Sequence, residues 1–149
     1  MRLLVVLLVI LSGLFLPLQI GVNSRLRTAI DSPIMAALIS FLVGTAILLL
    51  ATWLGIAGGR GAGLAALKSA PGWAYLGGLC GAFYVLISII ALPRVGAAVT
   101  VASAVLGQQV ASLAIDTFGW LDVPRIPLTW PRVAGAALLL AGVLLLQKK

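Results

Sequence analysis

The sequence predicts an all-α membrane protein. It has five transmembrane helices in a single transmembrane domain, 1–149, and pairs as an antiparallel, dual-topology homodimer of ten helices. Three observations predict this. Of 149 residues, 62% are hydrophobic and only 9% charged, against roughly 25% charged in an ordinary soluble domain. Apolar runs long enough to cross a hydrocarbon core of about 30 Å occur five times, separated by short polar segments. The Lys and Arg residues fall almost wholly between those runs, five on each side of the layer once five spans are counted.

The first helix is expected over 3–23. Met1-Arg2 followed by leucines resembles a secretory signal. The apolar run is long, however, and no small-x-small cleavage site follows it cleanly, so it reads as a retained span. The second helix, 33–57, starts at Asp31-Ser32-Pro33, with Ser32 as the cap and Pro33 in the first turn. Gly58 to Gly63 reads as a flexible loop. Ser69, Pro71 and Gly72 then open the third helix, 73–92, and Pro93-Arg94 leaves room only for a tight hairpin before the fourth, 95–118. Trp130-Pro131 opens the fifth, 130–147, whose apolar core from Val133 to Leu146 is extended by Arg132 snorkelling to the interface. All four Trp residues fall at ends of these spans on one side of the layer, as an interfacial belt requires.

Ten Lys and Arg against three acidic residues give a net charge of +7. Nucleic acid is excluded as a partner, because there is no basic face or aromatic stacking platform. The cations instead meet anionic head groups of membrane lipid. Orientation follows the Lys and Arg bias between short loops, and here that bias is nil, so the chain is expected to insert both ways up. The alternative is that the Met1 amine or another local feature sets one orientation. Transporters built as inverted repeats place the substrate site at the repeat interface. No repeat is present within this chain, so the second half is expected to be a second copy.

Small residues mark packing seams: Ala36, Ser40 and Gly44; Gly77 and Gly81; Ser103, Gly107 and Ala111; Ala137 and Ala141. Polar residues inside spans are scarcer and more informative. Ser12, Gln19 and Asn23 recur at seven and four along the first helix and so share a face. Pro17 lies among them and leaves the Gly13 carbonyl without its helical donor. Gln19 and Asn23 read either as substrate contacts or as interhelical hydrogen bonds worth about 1 kcal/mol. The fourth helix carries Thr100, Gln108, Ser112 and Asp116 at multiples of four. Gln108 divides between substrate contact and interhelical bonding, and Gln109, pointing elsewhere, reads as structural. Helix counting puts Asp116 at the far interface, as a cap or a partner for Arg125 or Arg132. Tyr84 needs a partner for its hydroxyl, which Ser88 one turn on, an amide of the first helix, or a substrate would each supply. Helix counting also sets Gln19 about 24 Å and Gln108 about 10 Å from the same membrane face. Inverting a second copy brings its Gln19 close to the depth of Gln108, so the polar sites are expected to be shared between subunits.

Several runs resemble a known family: Pro17-Leu-Gln-Ile-Gly-Val-Asn23 with Ser-Arg-Leu after it, Gly77-Gly-Leu-Cys-Gly-Ala-Phe-Tyr84, Pro93-Arg-Val-Gly-Ala, and Gly107-Gln108 leading to Ile115-Asp-Thr-Phe-Gly119. Together they look like the five-helix YdcZ-type branch of the drug/metabolite transporter superfamily, over nearly the whole chain. The resemblance implies a bacterial inner-membrane protein working as two five-helix halves, with Gln19, Asn23, Tyr84, Gln108 and Asp116 at functional positions. Small four-helix multidrug relatives carry a buried glutamate in their first helix, where this chain has Ser12. Without an intramembrane carboxylate, amides, hydroxyls and a freed carbonyl suit a neutral or zwitterionic polar solute better than a proton-exchanged cation.

The expected function is therefore alternating-access transport of a small molecule by a homodimer. The substrate-binding candidates are Ser12, Gln19, Asn23, Tyr84, Ser88, Gln108, Ser112 and Asp116, with no metal and no cofactor. The competing reading is a non-transporting membrane subunit or assembly factor that docks a partner protein. An enzyme is not expected: histidine is absent, and with no buried carboxylate or reactive pair, acid–base or nucleophilic chemistry has few candidates.

Overall fold

A computed structural model describes residues 2–56 and 70–148, with Arg2 described by its backbone alone. Among these residues there are helices and no strands. In chain order the α-helices are α1 (Arg2–Gly13), α2 (Phe15–Ile30), α3 (Pro33–Trp53), α4 (Gly77–Phe118) and α5 (Trp130–Gln147). Single 3₁₀ turns at Gly72–Leu76 and Trp120–Asp122 precede α4 and follow it. The expected loop from Gly58 to Gly63, and Ser69, lie outside the described residues.

Among the described residues, four stretches are long and apolar enough to cross a membrane: Leu3–Ile30, Pro33–Trp53, Gly72–Phe118 and Trp130–Gln147. The first runs further than the sequence suggested and is interrupted at Leu14, between α1 and α2. Leu14 donates to the Leu11 carbonyl at 3.1 Å in a tightened turn. The interruption stands one turn ahead of Pro17, which has no N–H to return to Gly13 and whose ring crowds that carbonyl.

The expected third and fourth helices follow each other without an intervening loop as α4, two helical stretches joined at a kink. The junction expected at Pro93-Arg94 falls instead at Gly96. Both residues stay helical, and the chain departs from helical geometry three residues beyond the proline, at Gly96 (φ 82, ψ 167). Proline weakens a helix by withholding one donor. The break itself needs a conformation open essentially to glycine alone, and Gly96 is the first residue after Pro93 that can adopt it.

The chain divides into two compact units, one comprising Met1–Pro17 and Ala91–Lys149, the other Leu18–Ile90. In the second unit, α2 ends in a left-handed Asp31 (φ 50), a conformation a short polar side chain tolerates. Ser32 then caps α3 as the sequence required: its hydroxyl accepts from the Met35 N–H at 3.2 Å, with Pro33 in the first turn. The core of this unit is a cluster of Ala36, Ala37, Val85 and Ile89, against which Leu26 and Tyr84 pack. Ala36 and Ile89 are fully buried. Alanine at 36 and 37 lets α3 approach α4 closely, the role expected of a small-residue row in lipid.

In the first unit, every described side chain from Leu3 to Gly13 is exposed. A helix that is apolar around its whole circumference has lipid or another protein as its surroundings. Leu113 of α4 and Val143 of α5 are buried. The Trp130-Pro131 start is present, with Thr129 as the capping residue.

Candidate functional site

In the Leu18–Ile90 unit the inward line of α2 runs through Ile20 and Asn23, only 3% and 4% exposed. Asn23 Nδ2 donates to Ser40 Oγ of α3 at 3.1 Å. This takes up the Asn23 amide in the interhelical role weighed for it and gives Ser40 a polar function in addition to its small size. Gln19 lies one residue before Ile20, about 100° round the helix, and is exposed. The two amides therefore share a broad side of α2 yet face different surroundings. Ser88 is buried and Tyr84 half-buried, one turn apart on α4. An apolar groove of about 430 Å³ lies between α3 and α4, with Phe41 and Phe83 among its walls.

In the other unit, Ser12 Oγ donates to the Val9 carbonyl of its own turn at 2.8 Å. Thr100 is turned inward and donates to the Gly96 carbonyl at 2.7 Å, satisfying an acceptor at the helix break. Gln108 and Ser112 are exposed, as are Ser103, Gly107 and Ala111 beside them, whereas Gln109 is half-buried. A Cβ built on Gly107 would meet nothing within 4 Å. The small-residue row of this helix is thus an open surface in the single chain.

Asp116 belongs to a connected set of polar contacts at the C-terminal end of α4. Its carboxylate Oδ2 pairs with Arg132 Nη2 of α5, both side chains about three-quarters buried. Arg132 Nη1 also donates to the Ile126 carbonyl at 3.2 Å. The Ile126 N–H returns to the Asp116 carbonyl at 2.9 Å. Arg125 Nε donates to the Phe118 carbonyl at 3.1 Å, one of the last α4 carbonyls, which have no helical donor. Two guanidinium groups at a helix C-terminus also meet the negative end of its dipole. Gly119 (φ 67) turns the chain there, and a Cβ on it would stand 2.7 Å from Arg125 Cγ. Of the two partners the sequence offered Asp116, Arg132 takes the carboxylate and Arg125 takes the helix end.

Sequence reasoning passed over Ser40, which read as a seam residue, and Thr117. The Thr117 hydroxyl is buried without a hydrogen-bond partner, beside a mainly apolar cavity of about 270 Å³ that Leu113 and Val133 also line.

Helices of this length and apolarity, with a handful of polar side chains among them, define an integral, multi-pass α-helical membrane protein. The family described as "Putative inner membrane exporter, YdcZ" matches residues 4–145, and the chain belongs to it. It is accordingly a membrane transporter of the inner membrane, in an exporter family and not an enzyme family. No curated protein and no solved structure matches the chain.

Proposed function

We propose that two copies, inserted in opposite orientations, form an alternating-access exporter for a small neutral or zwitterionic polar solute. The solute path runs between the copies and is lined by Gln19 of one and Gln108 and Ser112 of the other. The observation that carries this reading is the exposure of Gln19, Gln108 and Ser112 on an otherwise apolar surface. An amide left facing hydrocarbon without a hydrogen-bond partner costs several kcal/mol, on the order of 2–7. A second protein surface or a hydrated path removes that cost. The open row of Ser103, Gly107 and Ala111 beside Gln108 supplies a face smooth enough for close helix approach.

Five spans place the two termini on opposite faces of the membrane, the arrangement in which a duplicated unit becomes an inverted repeat. In this reading α4 is two spans that meet at Gly96. The stretches on either side, roughly 19 and 22 residues, are about 29 and 33 Å long, each a membrane thickness. The balanced Lys and Arg distribution then leaves no preferred orientation. The substrate class follows from charge: Asp116 is engaged by Arg132, which leaves amides and hydroxyls to recognise the solute. The direction, export, follows the family's description.

The test is solute flux in proteoliposomes. Wild-type protein should move polar solutes, and Gln19→Ala or Gln108→Ala should each abolish movement while the protein remains folded. Unchanged flux in both variants would refute the assignment. Loss of a protein partner with no flux at any stage would favour a docking subunit instead.

A further inference from the structure

We infer that Ser40 is a positioning residue: through its hydrogen bond with Asn23 it fixes the rotation of α2, and with it the direction in which Gln19 faces. The inference rests on the reading of Gln19 as part of the solute path. It gives Ser40 and Asn23 a part in that path without contact to the solute.

The inward contacts of α2 recur every three residues, at Ile20, Asn23 and Leu26. Ile20 and Leu26 pack through apolar surface, which is non-directional and tolerates a helix turning about its own axis. A hydrogen bond does not, because it needs both a short distance and alignment. The bond from Asn23 Nδ2 to Ser40 Oγ, at 3.1 Å, therefore singles out one rotation of α2. Asn23 is buried, and an amide turned away from Ser40 there would lose its partner without gaining water in exchange.

The ends of α2 leave this task to side chains. Before Gln19, helical geometry is interrupted at Leu14, and Pro17 has no N–H to return to Gly13. The rotation of α2 is thus not inherited from a continuous helix through α1. After Ile30, two residues join α2 to α3, a connection that sets the spacing of the helices more than their rotation. Serine suits position 40 because it is small as well as polar. Ala36, one turn earlier on α3, is fully buried, and a closely packed face takes a short side chain.

Gln19 stands one turn before Asn23 on the same helix and moves with it. A rotation of about 20° carries a side-chain tip, about 5–6 Å from the axis, through about 2 Å. That parts Asn23 from Ser40 and displaces Gln19 equally, whereas a binding group has to be held to about 0.5 Å.

The experiment measures the distance between nitroxide labels at Gln19→Cys and Ile34→Cys by double electron–electron resonance. Both positions are exposed and lie in the same unit. The full chain carries Cys80→Ser and is diluted with unlabelled chain in liposomes, so that pairs within one chain are read. With Ser40 in place the distribution should be narrow. Ser40→Ala should shift or broaden it by about 2 Å, and Ser40→Thr, which keeps the hydroxyl, should preserve the narrow form. Asp116→Ala, in the other unit, should leave it unchanged. In parallel, oxidative cross-linking of Gln19→Cys to Gln108→Cys between copies should fall in Ser40→Ala and persist in Ser40→Thr. If Ser40→Ala does not fold, Asn23→Ala is read in the same way. An unaltered distance in Ser40→Ala, or the same change in Ser40→Thr or Asp116→Ala, overturns the inference. A distance change on Ser40→Ala without any cross-link when Ser40 is intact supports the positioning and counts against the path.

Discussion

Arg132, in the first turn of α5, reaches back to the carboxylate of Asp116, two residues from the end of α4. Through its second nitrogen it also holds the Ile126 carbonyl of the segment between them. One guanidinium thus ties together the two helix ends and the connection that joins them.

Removing either partner of this pair leaves the other partly buried and unmatched. Arg132→Ala and Asp116→Ala should each destabilise the protein by about 1–3 kcal/mol. A double-mutant cycle should show a coupling of about 0.5–3 kcal/mol, measured as the shift in thermal unfolding in detergent. Additive single effects would mean that the pair contributes nothing.

The break at Gly96 makes a sharper prediction, because no L side chain adopts its backbone conformation readily. Gly96→Val should cost about 1–3 kcal/mol, whereas Gly107→Ala, with open space around it, should cost less than about 1 kcal/mol. Thermal unfolding of the two variants side by side tests this. Equal stability would place the strain elsewhere.

Gly119 combines a left-handed backbone with a neighbour that a Cβ would strike, Arg125 Cγ at 2.7 Å. Gly119→Ala should therefore dislodge Arg125 from the end of α4 and lower stability by about 1–2 kcal/mol. Arg125→Ala should relieve the clash, so adding it to Gly119→Ala should cost less than adding it to the wild type. Strict additivity in thermal unfolding would argue against the contact.

What the sequence revealed and what it concealed divide by how local the physics is. The Ser32 cap and Pro33 start were legible because capping depends on four consecutive residues. Pro17 announced the interruption at Leu14 for the same reason. The Gly96 break was displaced from its apparent signal, Pro93-Arg94, because proline removes a donor without dictating where a positive φ falls. Asp116 had two arginines within reach along the chain, and only their placement in space separates Arg132 from Arg125. Asn23 and Ser40 were each noticed for a different reason, and their pairing depends on how α2 lies against α3. The exposure of Gln19 beside buried Ile20 required knowing which side of α2 faces inward.

The central claim, that Gln19 of one copy and Gln108 of an inverted copy flank a common path, is tested most directly by cross-linking between differently tagged copies. Gln19→Cys and Gln108→Cys are placed in separate chains, both carrying Cys80→Ser, and co-expressed in the membrane. The account predicts a covalent dimer joining the Gln19→Cys chain to the Gln108→Cys chain, in preference to either like pair. Like pairs alone, or chains that remain single under oxidant, would contradict it.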